Sequence, residues 1–152
     1  MTASFVHLRV HTEYSLIDSV VRVPELVAAT AAGAMPAVAI TDQGNLFALV
    51  KFYRAALEQG IQPIVGVDLL LRAPGDKLGA PRLTLIAQNL AGYRNLARLV
   101  SRAWLEGRER GVPHVERAWL DAASTTGLIA LLGPDGDVGR ALLAGKEAQA
   151  EQ

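Results

Sequence analysis

Cysteine is absent from all 152 positions. That excludes disulfide staples, thiolate nucleophiles and zinc held by sulfur. No apolar run approaches the ~18–20 residues needed to cross a bilayer, and the start "MTASFVHLRV" lacks the basic-then-apolar order of a secretory signal. The expectation is a cytoplasmic protein with no membrane partner. Formal net charge is zero, so the composition excludes a strongly basic, free-standing nucleic-acid binder. There is no internal repeat of 20–50 residues and no low-complexity tract. What is present is ordinary globular composition, 51% hydrophobic and 20% charged, at a length suited to about one domain.

Periodicity divides the chain into alternating elements. "FVHLRV" (5–10) alternates with period two and predicts a first strand. On such a strand His7, Arg9 and His11 would face one side. A helix is predicted over 24–33, with Pro24 in its first turn and Gly33 at its end. "AVAIT" (37–41) is a short apolar run of the buried parallel type. A second helix is predicted from Leu46 to Gln59, capped by Asn45 and stopped by Gly60.

Strands follow at 63–71 and 82–87. The turn-rich linker "RAPGDKLGA" is too short for a helical crossover, so these two should form a hairpin. Asn89 should cap a helix over 90–106 that buries Tyr93, Leu96, Ala97, Val100 and Trp104. A short helix near 115–123, a strand at 127–132 and a last helix at 137–149 complete the reading. The fold class is α/β, with mostly parallel strands and one hairpin. A barrel needs more strands than these, so the chain should be the front part of something longer.

Polar residues gather where strands end, the usual place for a site in such sheets. Arg9 and His11 end the first strand, and Asp18 lies in the next loop. "TDQGN" (41–45) follows the second strand and brings Asp42 and Gln43. Asp68 interrupts an apolar strand, Arg82 opens the next, and "GPDGDVG" (133–139) offers Asp135 and Asp137. That glycine-rich loop lacks the Lys-Ser/Thr of a phosphate loop and the GxGxxG spacing. Arg94, Arg98 and Arg102 repeat every four residues, as a solvated face or a contact stripe for DNA. His114 has no partner nearby in sequence, and Trp104 and Trp119 read as packing residues.

The blocks "FVHLRVHTEYSLIDS", "MPAVAITDQGNLFALVKFY", "GIQPIVGVDLLL", "LIAQNLAGYRNLARLVS" and "GDVGRALLAG" resemble the PHP (polymerase and histidinol phosphatase) domain at the N-terminus of bacterial DNA polymerase III alpha subunits, the Gram-negative type above all. The resemblance covers nearly the whole chain, in order. It implies the N-terminal part of a distorted (β/α)7 barrel, a partial PHP domain over residues 1–152 with the polymerase domains absent. Members that bind metal use His, Asp and Glu for about three ions. By that pattern Arg9 occupies a histidine's place, His11 is a retained ligand type, and Asp18 ends the first motif. Asp42 is kept, Gln43 replaces a histidine, Asp68 a glutamate, Arg82 a histidine and Asp137 a glutamate.

Arginine cannot release its proton to become a ligand. The resemblance therefore implies a degenerate site without catalytic residues and without zinc or manganese. The acids that remain suggest that Arg9 and Arg82 stand in for metal charge by pairing with Asp42, Asp68 or Asp137. Magnesium would belong to the parent polymerase alone. The implied role is a scaffold and docking surface for the proofreading exonuclease (epsilon) subunit, within a holoenzyme that meets DNA through the parent protein. The alternative is a metal-dependent phosphoesterase or 3'–5' exonuclease, with zinc or manganese bound.

Overall fold

The computed structural model describes residues 5–72 and 79–150. Most of the expected linker, residues 73–78, lies outside them. The chain divides into two compact units, Met1–Val67 and Asp68–Gln152.

In the first unit, α1 (Val23–Ala32) leads to β1 (Ala37–Ile40), then α2 (Leu49–Glu58) and the opening of β2 (Gln62–Leu71). All four β1 residues are buried, as a strand covered on both faces requires. β1 runs parallel to β2, from Ala37↔Gln62 to Ile40↔Val65. Val23, Val27, Val38, Ile40, Phe52, Ala56 and Ile61 close the core between the helices and these strands.

Two expectations change here. Residues 5–10 form no continuous strand; a single parallel bridge joins His7 to Val38. Thr41 N–H does donate to the Val10 carbonyl at 2.8 Å. Val10 N–H, however, goes to the Thr41 hydroxyl at 3.1 Å, so a side chain interrupts the ladder. Helix α2 also starts at Leu49, with Ala48 as its N-cap, rather than at Leu46. Asn45 is occupied elsewhere: its amide donates to the Tyr14 and Gln43 carbonyls, and its oxygen accepts from Phe47 N–H. Gly60, at φ 68°, ends α2 as expected.

The second unit holds the rest of β2, then β3 (Arg82–Ala87), α3 (Leu90–Leu105), β4 (Arg108–Glu109) and β5 (Val112–Val115). α4 (Ala122–Thr125), β6 (Leu128–Leu131), α5 (Asp137–Leu143) and α6 (Glu147–Ala150) follow. Strand order is β4-β5-β2-β3-β6. Leu71 N–H donates to the Pro81 carbonyl, and Thr84 reaches Asp68. The two strands thus run in opposite directions, giving the expected hairpin. The sheet is more mixed than expected: β5 is parallel to β2, but β6 is antiparallel to β3 and β4 to β5. The β4–β5 hairpin was not foreseen. Its two linking residues, Arg110 (φ 50°) and Gly111 (φ 88°), are both left-handed, the geometry that joins adjacent antiparallel strands.

Helix α3 begins where expected, with the Asn89 side chain accepting from Gly92 N–H at 3.0 Å. Its buried face is rotated from the predicted one. Gly92, Asn95, Leu96, Leu99 and Ala103 face inward, while Tyr93 and Trp104 are more than a third exposed. Two contacts set this rotation. A Cβ on Gly92 would lie 1.8 Å from the Gly127 carbonyl oxygen, so only glycine allows the approach. Asn95 donates to the Ala123 and Thr126 carbonyls at 3.1 and 3.0 Å.

The helix predicted near 115–123 becomes a 3-10 turn (Arg117–Trp119) and the separate α4. Asp121 restarts the helix by accepting from Ser124 N–H at 2.7 Å. The last predicted helix is likewise two, α5 and α6, divided at Gly145 (φ 70°). Among the described residues no helix is long and apolar enough to cross a membrane.

Candidate functional site

In the first unit the polar residues converge on Asp42, which follows β1 and is only 2% exposed. One carboxylate oxygen accepts from Thr12 N–H at 2.6 Å and from the Ser15 hydroxyl at 2.7 Å. The other accepts from the Thr12 hydroxyl at 2.7 Å. These donors satisfy a charge that burial alone would penalise by several kcal/mol. Ser15 Oγ also accepts from Gln43 N–H at 3.1 Å, which holds Gln43 at the edge of this network.

His11 Nδ1 lies 2.6 Å from an Asp18 oxygen. The next residue along the loop, Ser19, donates to the His11 carbonyl at 2.8 Å. His11, Asp18, Asp42 and Gln43 are therefore gathered within one unit, around the turn Glu13–Ser15. Arg9 and His7 are exposed; the His7 ring meets Phe5 edge-on. At the outer side Lys51 donates to Glu13 at 3.0 Å. That bond holds the Glu13 carboxyl below its ordinary range and raises Lys51.

The second unit carries the remaining expected residues. Asp68 is fully buried in β2 and accepts a hydrogen bond from the Thr84 hydroxyl on β3. Arg82 N–H donates to the Asp135 carbonyl at 3.1 Å, and its guanidinium lies 3.6 Å from the Asp135 carboxylate. Asp137 is paired with Arg117. That pair stands at a cavity of about 560 Å³ whose other lining residues include Leu71, Leu83, Leu85 and Leu132. Of the acids expected to pair with Arg9 or Arg82, Asp42 is served by hydroxyls and a backbone amide and Asp137 by Arg117. The loop 133–139 is built on close backbone packing. A Cβ on Gly139 would lie 2.3 Å from the Gly133 oxygen, and one on Gly136 would lie 2.9 Å from the Arg82 oxygen.

Thr12, Ser15, Thr84 and Arg117 were not singled out from the sequence. Hydroxyl residues beside acids carry no spacing signal, because their partners lie 16 to 30 positions away. Helix α3 keeps all three of its arginines exposed. Arg102 bonds Glu106 at 2.8 Å and lies 4.1 Å above the Trp119 ring. His114 sits in β5, with Nδ1 3.0 Å from the Val112 carbonyl. Among the described residues, no three His, Asp or Glu side chains form a metal-holding group.

The geometry describes two hydrogen-bonded carboxylate networks at strand ends of an α/β fold, and the family model for the PHP domain matches residues 7–152. The chain belongs to the PHP-domain family. The DNA polymerase III subunit alpha of Pseudomonas aeruginosa is 51% identical over 152 residues, which are 99% of this chain and 13% of that protein. The DNA polymerase III subunit alpha of Escherichia coli is 46% identical over 151 residues, 97% of this chain and again 13% of the relative. This sequence thus spans a small fraction of the length of the relatives it matches. An amidohydrolase from Chromobacterium violaceum, solved with bound sulfate and no metal, superposes with a TM-score of 0.51 at 20% identity. The match covers 64% of this chain and 32% of that one, and shows likeness of fold alone.

Proposed function

We propose that this chain is the PHP region of a replicative DNA polymerase III alpha subunit, acting in cytoplasmic DNA replication as a scaffold rather than a catalyst. The supporting observation is the 51% identity to such a subunit across 99% of the chain. The polymerase chemistry, with its magnesium, belongs to other parts of the subunit. The PHP region serves as a docking surface for the proofreading exonuclease (epsilon) subunit within the holoenzyme.

The residues present do not fit the family's metal cluster. Arg9, Gln43 and Arg82 stand where imidazoles would be needed, and a guanidinium repels a cation. Asp42 spends both oxygens on Thr12 and Ser15. The buried Asp42 carboxylate is stabilised by two hydroxyls and an amide, and Asp137 by the Arg117 guanidinium. His11 beside Asp18 keeps a metal motif's residue types, and it sustains the metal-dependent phosphoesterase or exonuclease reading as the rival.

Metal analysis of the purified chain after dialysis against zinc or manganese decides between them. The scaffold reading expects well under one ion per chain, no hydrolysis of p-nitrophenyl phosphate, and capture of the epsilon subunit. Stoichiometric metal with metal-dependent hydrolysis would establish the rival.

A further inference from the structure

Helix α3 and the segment after it make a local exception to a chain of zero net charge. The sixteen residues of α3 hold Arg94, Arg98 and Arg102 and no acid. Arg108 and Arg110 follow, so positions 94–110 carry five arginines against two glutamates, Glu106 and Glu109. Like charges four apart on a helix oppose its stability, and of the three only Arg102 is offset by a described packing and ion-pair role. Successive arginines stand about 6 Å apart along the axis, at 1.5 Å per residue.

The three differ in what holds them. Arg102 is fixed by Glu106 and by the Trp119 ring. Arg98 has one long contact, 3.5 Å to the Asn95 oxygen, an orientation set by the two carbonyls that the Asn95 amide binds. Neither Arg94 nor Arg98 has a carboxylate at ion-pair distance among the described residues. Beside Arg98 and Arg102 opens a cavity of about 350 Å³, walled by Trp119, Asn95, Leu99, Asp121 and Ser124. That volume is at the small end of ligand pockets. Its acid, Asp121, is engaged by Ser124 N–H.

We infer that this face binds single-stranded nucleic acid, with backbone phosphates on Arg94 and Arg98 and one base lodged against the Arg102–Trp119 stack. The inference rests on the charge and geometry of α3, independently of the function proposed above. A cationic track beside an aromatic wall is how sequence-tolerant single-strand binding is built. A duplex could use the arginines but has no unstacked base for the cavity. An acidic peptide could use them too, without the aromatic wall.

The test is anisotropy of a labelled 16-nucleotide oligothymidylate titrated with this chain at 50 mM salt, in a Trp104→Phe background so that Trp119 alone reports by fluorescence. Expected are Trp119 quenching on binding and a logarithmic salt slope of about −1.4 to −2, as two or three phosphate contacts give. Arg94→Glu with Arg98→Glu should weaken affinity at least tenfold. Arg22→Glu with Arg54→Glu, the same charge change in the first unit, should weaken it less than threefold. The exposed positions let circular dichroism confirm that each variant is folded. Absence of binding at 50 mM salt overturns the inference. So does equal loss in the Arg22 and Arg54 control, equal affinity for a duplex without quenching, or equal affinity for polyglutamate.

Discussion

Asp42→Ala tests whether the carboxylate network is a structural joint. The substitution removes an acceptor that serves three donors: the Thr12 amide at 2.6 Å, the Thr12 hydroxyl at 2.7 Å and the Ser15 hydroxyl at 2.7 Å. Hydrogen bonds to a charged group contribute about 1.5–3 kcal/mol each, and a buried donor left unmade adds its desolvation cost. The three share one acceptor and are not additive, so the net expectation is a loss of about 3–5 kcal/mol, since each buried neutral donor left unmade costs about 1–3 kcal/mol. In urea, with a slope of about 2 kcal/mol/M, the midpoint should fall by about 2 M. Asp42→Asn keeps one acceptor oxygen and should cost about 1–2 kcal/mol. The assay is urea unfolding followed by far-UV circular dichroism, with hydrogen exchange at the Thr12 amide as the local readout. If Asp42 were instead a charge held ready for a cation, its removal would be neutral or stabilising. A change within about 0.5 kcal/mol, with the Thr12 amide still protected, would refute the argument.

Gly92→Ala should destabilise the chain by at least about 2–3 kcal/mol by thermal unfolding, because its Cβ would meet a backbone oxygen that cannot turn aside. A merely helix-favouring effect would stabilise instead. Asp121 is held below its ordinary 3.8 chiefly by the Ser124 amide and hydroxyl. Its contribution to stability is therefore present above about pH 4 and lost as pH falls through the lowered value. Asp121→Asn, which still caps but does not titrate, should flatten the stability profile of α4 between pH 4 and 2, read by hydrogen exchange.

The parts of the fold legible in the sequence are those where one strong signal acts alone. The apolar runs gave β1, β2, β3 and β6, and Asn89 gave the start of α3. What stayed hidden rests on partners distant in sequence. The inward face of α3 was misplaced because Gly92 and Asn95 look like poor core residues until Gly127 and the Ala123 and Thr126 carbonyls arrive. Strand β5 contains Pro113 and His114, which argue against a strand by composition, yet Leu70 and Leu71 pair with it. The same division holds at the site. His11, Asp18, Asp42 and Gln43 could be named from their motif, and the structure brings them into one unit. That Thr12 and Ser15, rather than an arginine, donate to Asp42 is fixed only by the fold, which brings them together from 27 to 30 positions apart.

The Asp42 joint also bears on how the chain may be shortened. Residues 5–10 contribute one bridge and no regular strand, so by secondary structure they resemble a dispensable tail. Yet residues 7–10 hold the strand edge on which Thr12 and Ser15 are carried to Asp42, 27 to 30 positions onward. Trimming past Thr12 would leave a buried anion with most of its donors gone. Residues 5–12 thus act as a clasp on the core of α1, β1 and α2, because Thr12 carries two of the three donors that Asp42 accepts from.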